Sequence, residues 1–222
     1  MSRVRAHNIG ISLDGFATGE GQSLEAPFGH AGHRLLEWFF PTATFQAATG
    51  VRERVEVDPA AEPDDVFARR SWEGIGAEIM GAGKFGPPGW QDDADWTGWW
   101  GVEPPFHTPT YVLTHQPRES IEKKGGTVFH FRDAPIEEVL AEAQEAAAGQ
   151  DVRIGGGPSS LRDFLAAGLV DHLHVAVVPI ILGRGVRLWE GLEALEDGYE
   201  VASTTTPSGV THVTFDRTDA AR

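Results

Sequence analysis

The chain contains no cysteine, only two methionines and two tyrosines, and no apolar run approaching the length that spans a bilayer. Without cysteine it forms no disulfide, presents no thiolate nucleophile and builds no cysteine-ligated zinc site. Positive charge is scarce as well. Eighteen Lys and Arg stand against thirty-three Asp and Glu, a formal net charge of −15. Such a surface repels phosphate backbones and anionic lipid, so no nucleic-acid or membrane partner is expected. Met1-Ser2-Arg3-Val4-Arg5 has no apolar run behind it, so no signal peptide is expected and a cytoplasmic location is the default reading. What is present is ordinary for a globular protein: 222 residues, 41% hydrophobic and 23% charged, enough for a sizeable core. No repeat, low-complexity tract or linker divides the sequence, and one domain over residues 1–222 is expected.

Strands are predicted at Val4 to Leu13, Ala77 to Gly81, Tyr111 to Thr114, Thr127 to Phe131, Asp151 to Ile154 and Leu173 to Val178. Two more, Tyr199 to Thr205 and Val210 to Asp216, flank the turn Pro207-Ser208-Gly209 as a terminal hairpin. Val51 to Val57 alternates apolar with charged residues and reads as an edge strand or an extended arm. Helices are predicted at His33 to Phe40, stopped by Pro41; at Pro63 to Gly74, with acids in its first turn; at Pro135 to Ala148, capped by Asp133; and at Pro158 to Ala167, closed by Gly168. Residues 86–109, with Trp90, Trp96, Trp99 and Trp100, form a long ordered loop, since flexible linkers are not built from tryptophan. Strands alternating with helices and closing on a hairpin indicate a mixed α/β sheet with helices on its faces.

Three stretches carry possible chemistry. Gly155-Gly156-Gly157 lies between a strand end and a helix start, where bare backbone lets a ligand come close and free N–H groups attract an anion. Pro158 suits the first helical position, and Ser159 and Ser160 add hydroxyl donors. The turn either binds a pyrophosphate or is a tight connection that binds nothing. Gly81-Ala82-Gly83-Lys84 repeats the layout, with Lys84 as a phosphate partner or a solvated surface lysine. Thr114-His115-Gln116 follows another strand and either reaches a ribose or its phosphate, or caps a loop.

The order of these pieces resembles the dihydrofolate-reductase-like superfamily. Strand–Met80-Gly81, strand–Thr114-His115, strand–Gly155-Gly156-Gly157–helix and then Val178-Pro179-Ile180-Ile181-Leu182-Gly183-Arg184-Gly185 follow its sequence of motifs. Ser12-Leu13-Asp14-Gly15-Phe16 is similar to the first-strand motif of one branch, the reductase domain of the bacterial riboflavin-pathway deaminase/reductase. The resemblance covers residues 3–19 and about 76–216. It implies a single-domain mixed, mostly parallel sheet flanked by helices, a homodimer, and hydride transfer from NADPH lying across the carboxyl ends of the strands. It also implies that Gly155 to Ser160 hold the pyrophosphate, that Gly81 to Lys84 and Thr114 to Gln116 flank the adenosine end, and that Asp14 to Thr18 lie near the nicotinamide. The chain departs at three places. Gly-Ala-Gly-Lys replaces Gly-Arg-x-Thr, leaving NADH as a second candidate cofactor. Alignment on Trp38-Phe39 puts Leu35 where folate reductases carry an acid. Gly155 stands where the riboflavin-pathway enzymes read Glu-Gly-Gly.

With both characteristic acids absent, Asp14, His33 and Glu37, with His30, are the polar groups expected near the acceptor. His30 with His33, and His172 with His174, lack a third convergent ligand, so no metal is expected. Asp92, Asp93 and Asp95 lack the glycine and closing Glu of a calcium loop. The tryptophans of the long loop either stack a planar ring or pack against a partner. Two functions follow. The first is an NADPH-dependent reductase of a small heterocyclic or conjugated acceptor, resembling 5-amino-6-(5-phosphoribosylamino)uracil reductase. The second is a catalytically silent nucleotide-binding or scaffold protein that kept the fold.

Overall fold

The computed structural model describes residues 2–48 and 61–218, so the segment predicted at Val51 to Val57 lies outside the described residues. Its strands are β1 (Val4–Ser12), β2 (Phe16–Thr18), β3 (Ile75–Gly81), β4 (Pro109–Leu113), β5 (Ile121–Glu122), β6 (Val128–Arg132), β7 (Asp151–Ile154), β8 (His172–Val178), β9 (Val186–Arg187), β10 (Tyr199–Thr205) and β11 (Thr211–Arg217). Its α-helices are α1 (Ala43–Ala48), α2 (Glu62–Arg70), α3 (Ala82–Phe85), α4 (Ile136–Ala146) and α5 (Pro158–Ala166). Nine strands join in one sheet of order β10-β11-β8-β1-β7-β3-β4-β6-β5, and β2 pairs β9 in a small antiparallel ribbon. The central run from β8 to β6 is parallel, while β11, β10 and β5 are antiparallel to their neighbours. The fold is the expected mixed, mostly parallel sheet flanked by helices, ending in an antiparallel hairpin.

Sequence pattern explains the centre. Strands buried on both faces need apolar side chains at successive positions, and β1, β7 and β8 supply Val4, Ala6, Ile9, Ile11, Val152, Ile154, Leu173 and Val175. Val139, Leu140 and Ala143 of α4, and Leu161, Phe164 and Leu165 of α5, recur at helical spacing and join them in one core. Burying each large side chain contributes about 1.5–3 kcal/mol. A second core gathers Phe16, Leu35, Trp38, Ala176, Val178 and Leu182. The third explains the tryptophan-rich loop. Trp90 sits among Met80, Phe85, Phe106, Val112, Phe129 and Phe131, with Trp96 and Trp100 packed against that cluster. The Arg118 guanidinium lies 5.0 Å from the Trp90 ring centre and 4.9 Å from Phe131, and its Nη1 donates to the Asp93 carbonyl.

Three local expectations are corrected. His33 to Phe40 is not an α-helix: Gly32–Leu36 is a 3-10 turn that follows Ala31 in a left-handed conformation (φ 52°), and turns continue from it. The next helix is α1, where the Phe45 N–H donates to Thr42 Oγ1 in a cap. α2 ends at Arg70, and residues 71–74 form turns. Asp133 does not cap α4; Pro135 holds that position, and Asp133 pairs with His115 Nδ1 at 3.1 Å.

A buried polar chain ties α2 to the sheet. Asp64 in the first turn of α2 accepts from His212 Nε2 at 2.8 Å and from Thr206 Oγ1 at 2.6 Å. His212 Nδ1 lies 2.9 Å from His174 Nε2, and the Asn8 N–H donates to His174 Nδ1 at 3.1 Å. The last bond sets every proton: His174 carries its own on Nε2 and donates to His212, which donates to Asp64. Asn8 is itself left-handed (φ 59°) at a register shift in β1.

Candidate active site

Two of the glycine motifs meet. The Gly81 N–H at the end of β3 donates to the Gly156 carbonyl at 2.9 Å, and the Gly155 N–H donates to the Ile79 carbonyl at 2.8 Å. A Cβ at Gly81 would overlap Ser160 Oγ, so glycine there is what lets α5 start against β3. The peptide bond between Gly156 and Gly157 is cis. β7 lies between β1 and β3, and the chain leaves it for β8 on the far side of β1. The carboxyl ends of β7 and β3 therefore open at a switch point of the sheet, where ligands of such folds bind.

A cavity of about 730 Å³ occupies that position. One wall is the paired glycine motifs with Lys84, Ser159 and Ser160; another is apolar, with Phe28, Leu35, Phe39, Phe40 and Phe45; Trp72, Trp100 and Phe106 close one end. Ideal Cβ positions at Gly156 and Gly157 meet nothing within 4 Å, so space lies open above this turn. Gly156 is at φ 106°, a region that favours glycine.

At the polar end, Glu78 is completely buried on β3 and serves two cations. Lys84 Nζ donates to Oε1 at 2.8 Å; Arg153 Nε donates to Oε2 at 2.8 Å, and a second guanidinium N–H reaches the same oxygen. Arg153 Nη1 also donates to the Ser71 carbonyl at 2.7 Å, and its guanidinium stacks 4.1 Å from the Trp72 ring centre. Burial alone would raise the Glu78 pKa, but Arg153 and Lys84 outweigh it and hold the carboxyl below its ordinary value. Burial pushes the Lys84 ammonium down against the pull of Glu78, and Arg153 pushes the same way. A Cβ at Gly155 would overlap both Glu78 Oε1 and Lys84 Nζ. The carboxylate thus sits where a side chain at 155 would begin.

The structure distributes the expected site residues unevenly. Gly81, Gly83, Lys84 and Gly155 to Ser160 share the cavity; Ala82 begins α3 behind it. Lys84 is not free for a phosphate, because Glu78 holds it, although part of its side chain reaches water. Thr114 and His115 are not among the lining residues, and the His115 side chain is fully exposed beside Asp133. Asp14, His33 and Glu37 do not face the cavity. Asp14 accepts from the Leu182 and Gly183 N–H groups at 3.0 and 2.7 Å, latching the loop after β8. The Ser12 hydroxyl, followed by these N–H donors, lowers its pKa to about 2. His33 and Glu37 pair at 3.8 Å on the surface. His30 is spent on the Glu20 N–H and the Leu182 carbonyl. Trp38-Phe39 lies in turns, and α2, which packs on β1 as the Gly32–Leu36 turn does, carries Asp64 and Asp65 in its first turn.

Sequence reading missed Glu78, Arg153, His7 and Asn8. Glu78 stands alone in Ala77-Glu78-Ile79-Met80, and an acid inside such a run was the available signal, since a buried charge requires partners. Burial and neighbouring cations push His7 far below the usual imidazole range, so it is neutral, and its Nε2 accepts from Arg5 Nε.

The family model of the RibD C-terminal domain matches residues 6–213. A 97-residue stretch is 29% identical to the riboflavin biosynthesis protein RibD of Aquifex aeolicus (strain VF5), covering 42% of this chain and 27% of that protein. A protein from Shewanella sp. PV-4 assigned to riboflavin biosynthesis superposes with a TM-score of 0.58 at 19% identity, over 98% of this chain and 99% of that one. The diaminohydroxyphosphoribosylaminopyrimidine deaminase/5-amino-6-(5-phosphoribosylamino)uracil reductase of Thermotoga maritima gives 0.54 at 14% identity, over 98% of this chain and 57% of that one. Dihydrofolate reductase of Enterococcus faecalis, complexed with NADP(H) and RAB-propyl, gives 0.52 at 15% identity, over 98% and 97%. At these identities the structural likenesses establish a dihydrofolate-reductase-like fold. The family match extends over nearly all of the sequence, and the chain belongs to the RibD C-terminal domain family.

Proposed function

We propose that the protein is an NADPH-dependent reductase of the riboflavin-pathway type, transferring a hydride to a small heterocyclic or conjugated acceptor. Membership in the family supports an oxidoreductase, and a relative in fold binds NADP(H). The observation that carries the reading is the cradle at Gly155 to Ser160. Gly156 and Gly157 leave room that a side chain would fill, and the cradle opens into a cavity of about 730 Å³, within the usual size of small-molecule sites. Those residues fit a pyrophosphate without added positive charge, because backbone N–H groups at the start of α5 and the hydroxyls of Ser159 and Ser160 are the donors. Trp72, Trp100, Phe28 and Phe39 supply planar apolar walls that exclude water from the transfer. Two copies pair in the working molecule.

The test is direct. NADPH fluorescence changes saturably on titration with protein, and NADPH is oxidised when pterins, ribosylaminopyrimidines and quinones are supplied in turn. Binding with no turnover across that panel would favour the silent nucleotide-binding protein instead.

A further inference from the structure

The inference here rests on the reductase reading and concerns the second half of the reaction. A bound reduced nicotinamide supplies a hydride, which carries both electrons to one carbon of a C=N or C=C acceptor. The displaced π pair then needs a proton on the neighbouring atom. None of the residues first expected to give it faces the cavity.

The described lining residues leave few alternatives. No Asp or Glu is among them, in a protein with thirty-three such residues. His7 is neutral and buried. Arg153 does not release its proton, and serine or threonine hydroxyls are too weakly acidic. Lys84 remains. Its Nζ stands where a side chain at Gly155 would begin, and is therefore beside the phosphate-binding turn. The same ammonium lies 5.4 Å from the ring centre of Phe106, which also lines the cavity.

We propose that Lys84, braced by Glu78 and Arg153, is the proton donor of this site. As the hydride bonds to the acceptor carbon, the π pair moves to the adjacent atom and takes a proton from Nζ. The N–H bond breaks, and its electrons stay on Lys84 as a neutral amine beside ionised Glu78. The triad carries one net positive charge before the transfer and none after it. Burial in company with Arg153 favours that loss of charge, and Glu78 keeps the ammonium aimed and charged until the hydride arrives. Lys84 regains its proton from water through the quarter of its side chain that is exposed (26%).

Lys84→Arg and Lys84→Met separate proton transfer from charge. Arginine keeps a cation beside Glu78 but does not give up a proton at working pH. Methionine removes both, while the Glu78–Arg153 pair survives to hold the fold, which circular dichroism checks. Lys84→Arg, which keeps the cation, is expected to bind NADPH as the parent does in fluorescence titration, and both variants to lose at least about 100-fold in kcat at saturating NADPH. The parent's kcat should fall at high pH as Lys84 deprotonates, and the variants should lack that limb. A second readout needs no acceptor. The chain has three lysines, at 84, 123 and 124, so carbon-13 lysine NMR, assigned with Lys84→Met, should show Lys84 titrating below the ordinary lysine range. Lys84→Arg with undiminished kcat, or Lys84 titrating at or above the ordinary lysine range, overturns the proposal while leaving the reductase standing. A parent that binds NADPH and reduces nothing overturns the reductase reading, and the proton donor with it.

Discussion

At the scale of single residues, the most telling positions are those with nothing beyond Cα. Gly157 has φ −59° and ψ 172°, which any residue adopts, and open space where its Cβ would be. Gly156 has the space but not the ordinary backbone. Gly157→Ala is therefore the cleaner probe of the phosphate cradle. It should keep the thermal midpoint within a few degrees and weaken NADPH binding at least tenfold, about 1.4 kcal/mol. A folded variant with parental affinity would remove the cradle from the site. Residue-level reading of the sequence found this turn because three consecutive glycines between strand and helix have few other uses. It missed the acid that serves Lys84, because Glu78 and Lys84 become neighbours only when β3 turns into α3, and Arg153 arrives from β7. It placed Asp14 near the chemistry on motif alone, whereas the carboxylate is occupied by two backbone N–H groups.

At the scale of elements, the chain Asp64–His212–His174–Asn8 makes one cooperative polar seam of α2, β11, β8 and β1. Burial is the leading cause that lowers the pKa of His7, His172, His174 and His212. Asp216 opposes it at His172 and Asp64 at His212, without reversing it. In the unfolded chain these rings titrate near pH 6.5. Below that value the unfolded state binds more protons than the folded one, so stability falls as pH falls. The urea midpoint should accordingly hold at about pH 8 and drop progressively from about pH 6.5 downward, with the slope m unchanged. A flat profile would mean that the folded protein accepts the protons. Among elements, β1, β7, β8, α4 and α5 were legible because they bury continuous apolar runs or one helical stripe. The stretch from Gly32 to Pro41 was not, since HRLLEWFF is apolar enough for a helix while most of its hydrogen bonds are those of turns: the Arg34 N–H reaches back to Ala31 and the Phe39 N–H to Leu36, with one helical bond, from Phe40 to Leu36.

At the scale of the whole molecule, the longer of the sheet's two outer strands among the described residues stands open. β10 is the outermost strand, with all residues after Tyr199 exposed, including Val201 at 45%. Beside it Trp189, Leu192, Leu195, Val201 and Phe215 line a shallow depression. An exposed strand with apolar neighbours invites pairing with a second copy. Light scattering at micromolar concentration should give twice the mass of one chain, and Val201→Glu should return it to one. A parent that scatters as a single chain would contradict the pairing. Fold class was readable from the order of strands and helices, whereas the course of the cavity was not, because its walls come from loops whose meeting depends on strand order. One feature of the cavity constrains the chain's history as well as its chemistry. Glu78 and a side chain at 155 compete for the same volume. A sequence with an acid at 155 and one with an acid at 78 are therefore separated by a valley. A chain that acquires the second acid before losing the first collides, and one that loses the first leaves Lys84 and Arg153 facing each other unneutralised.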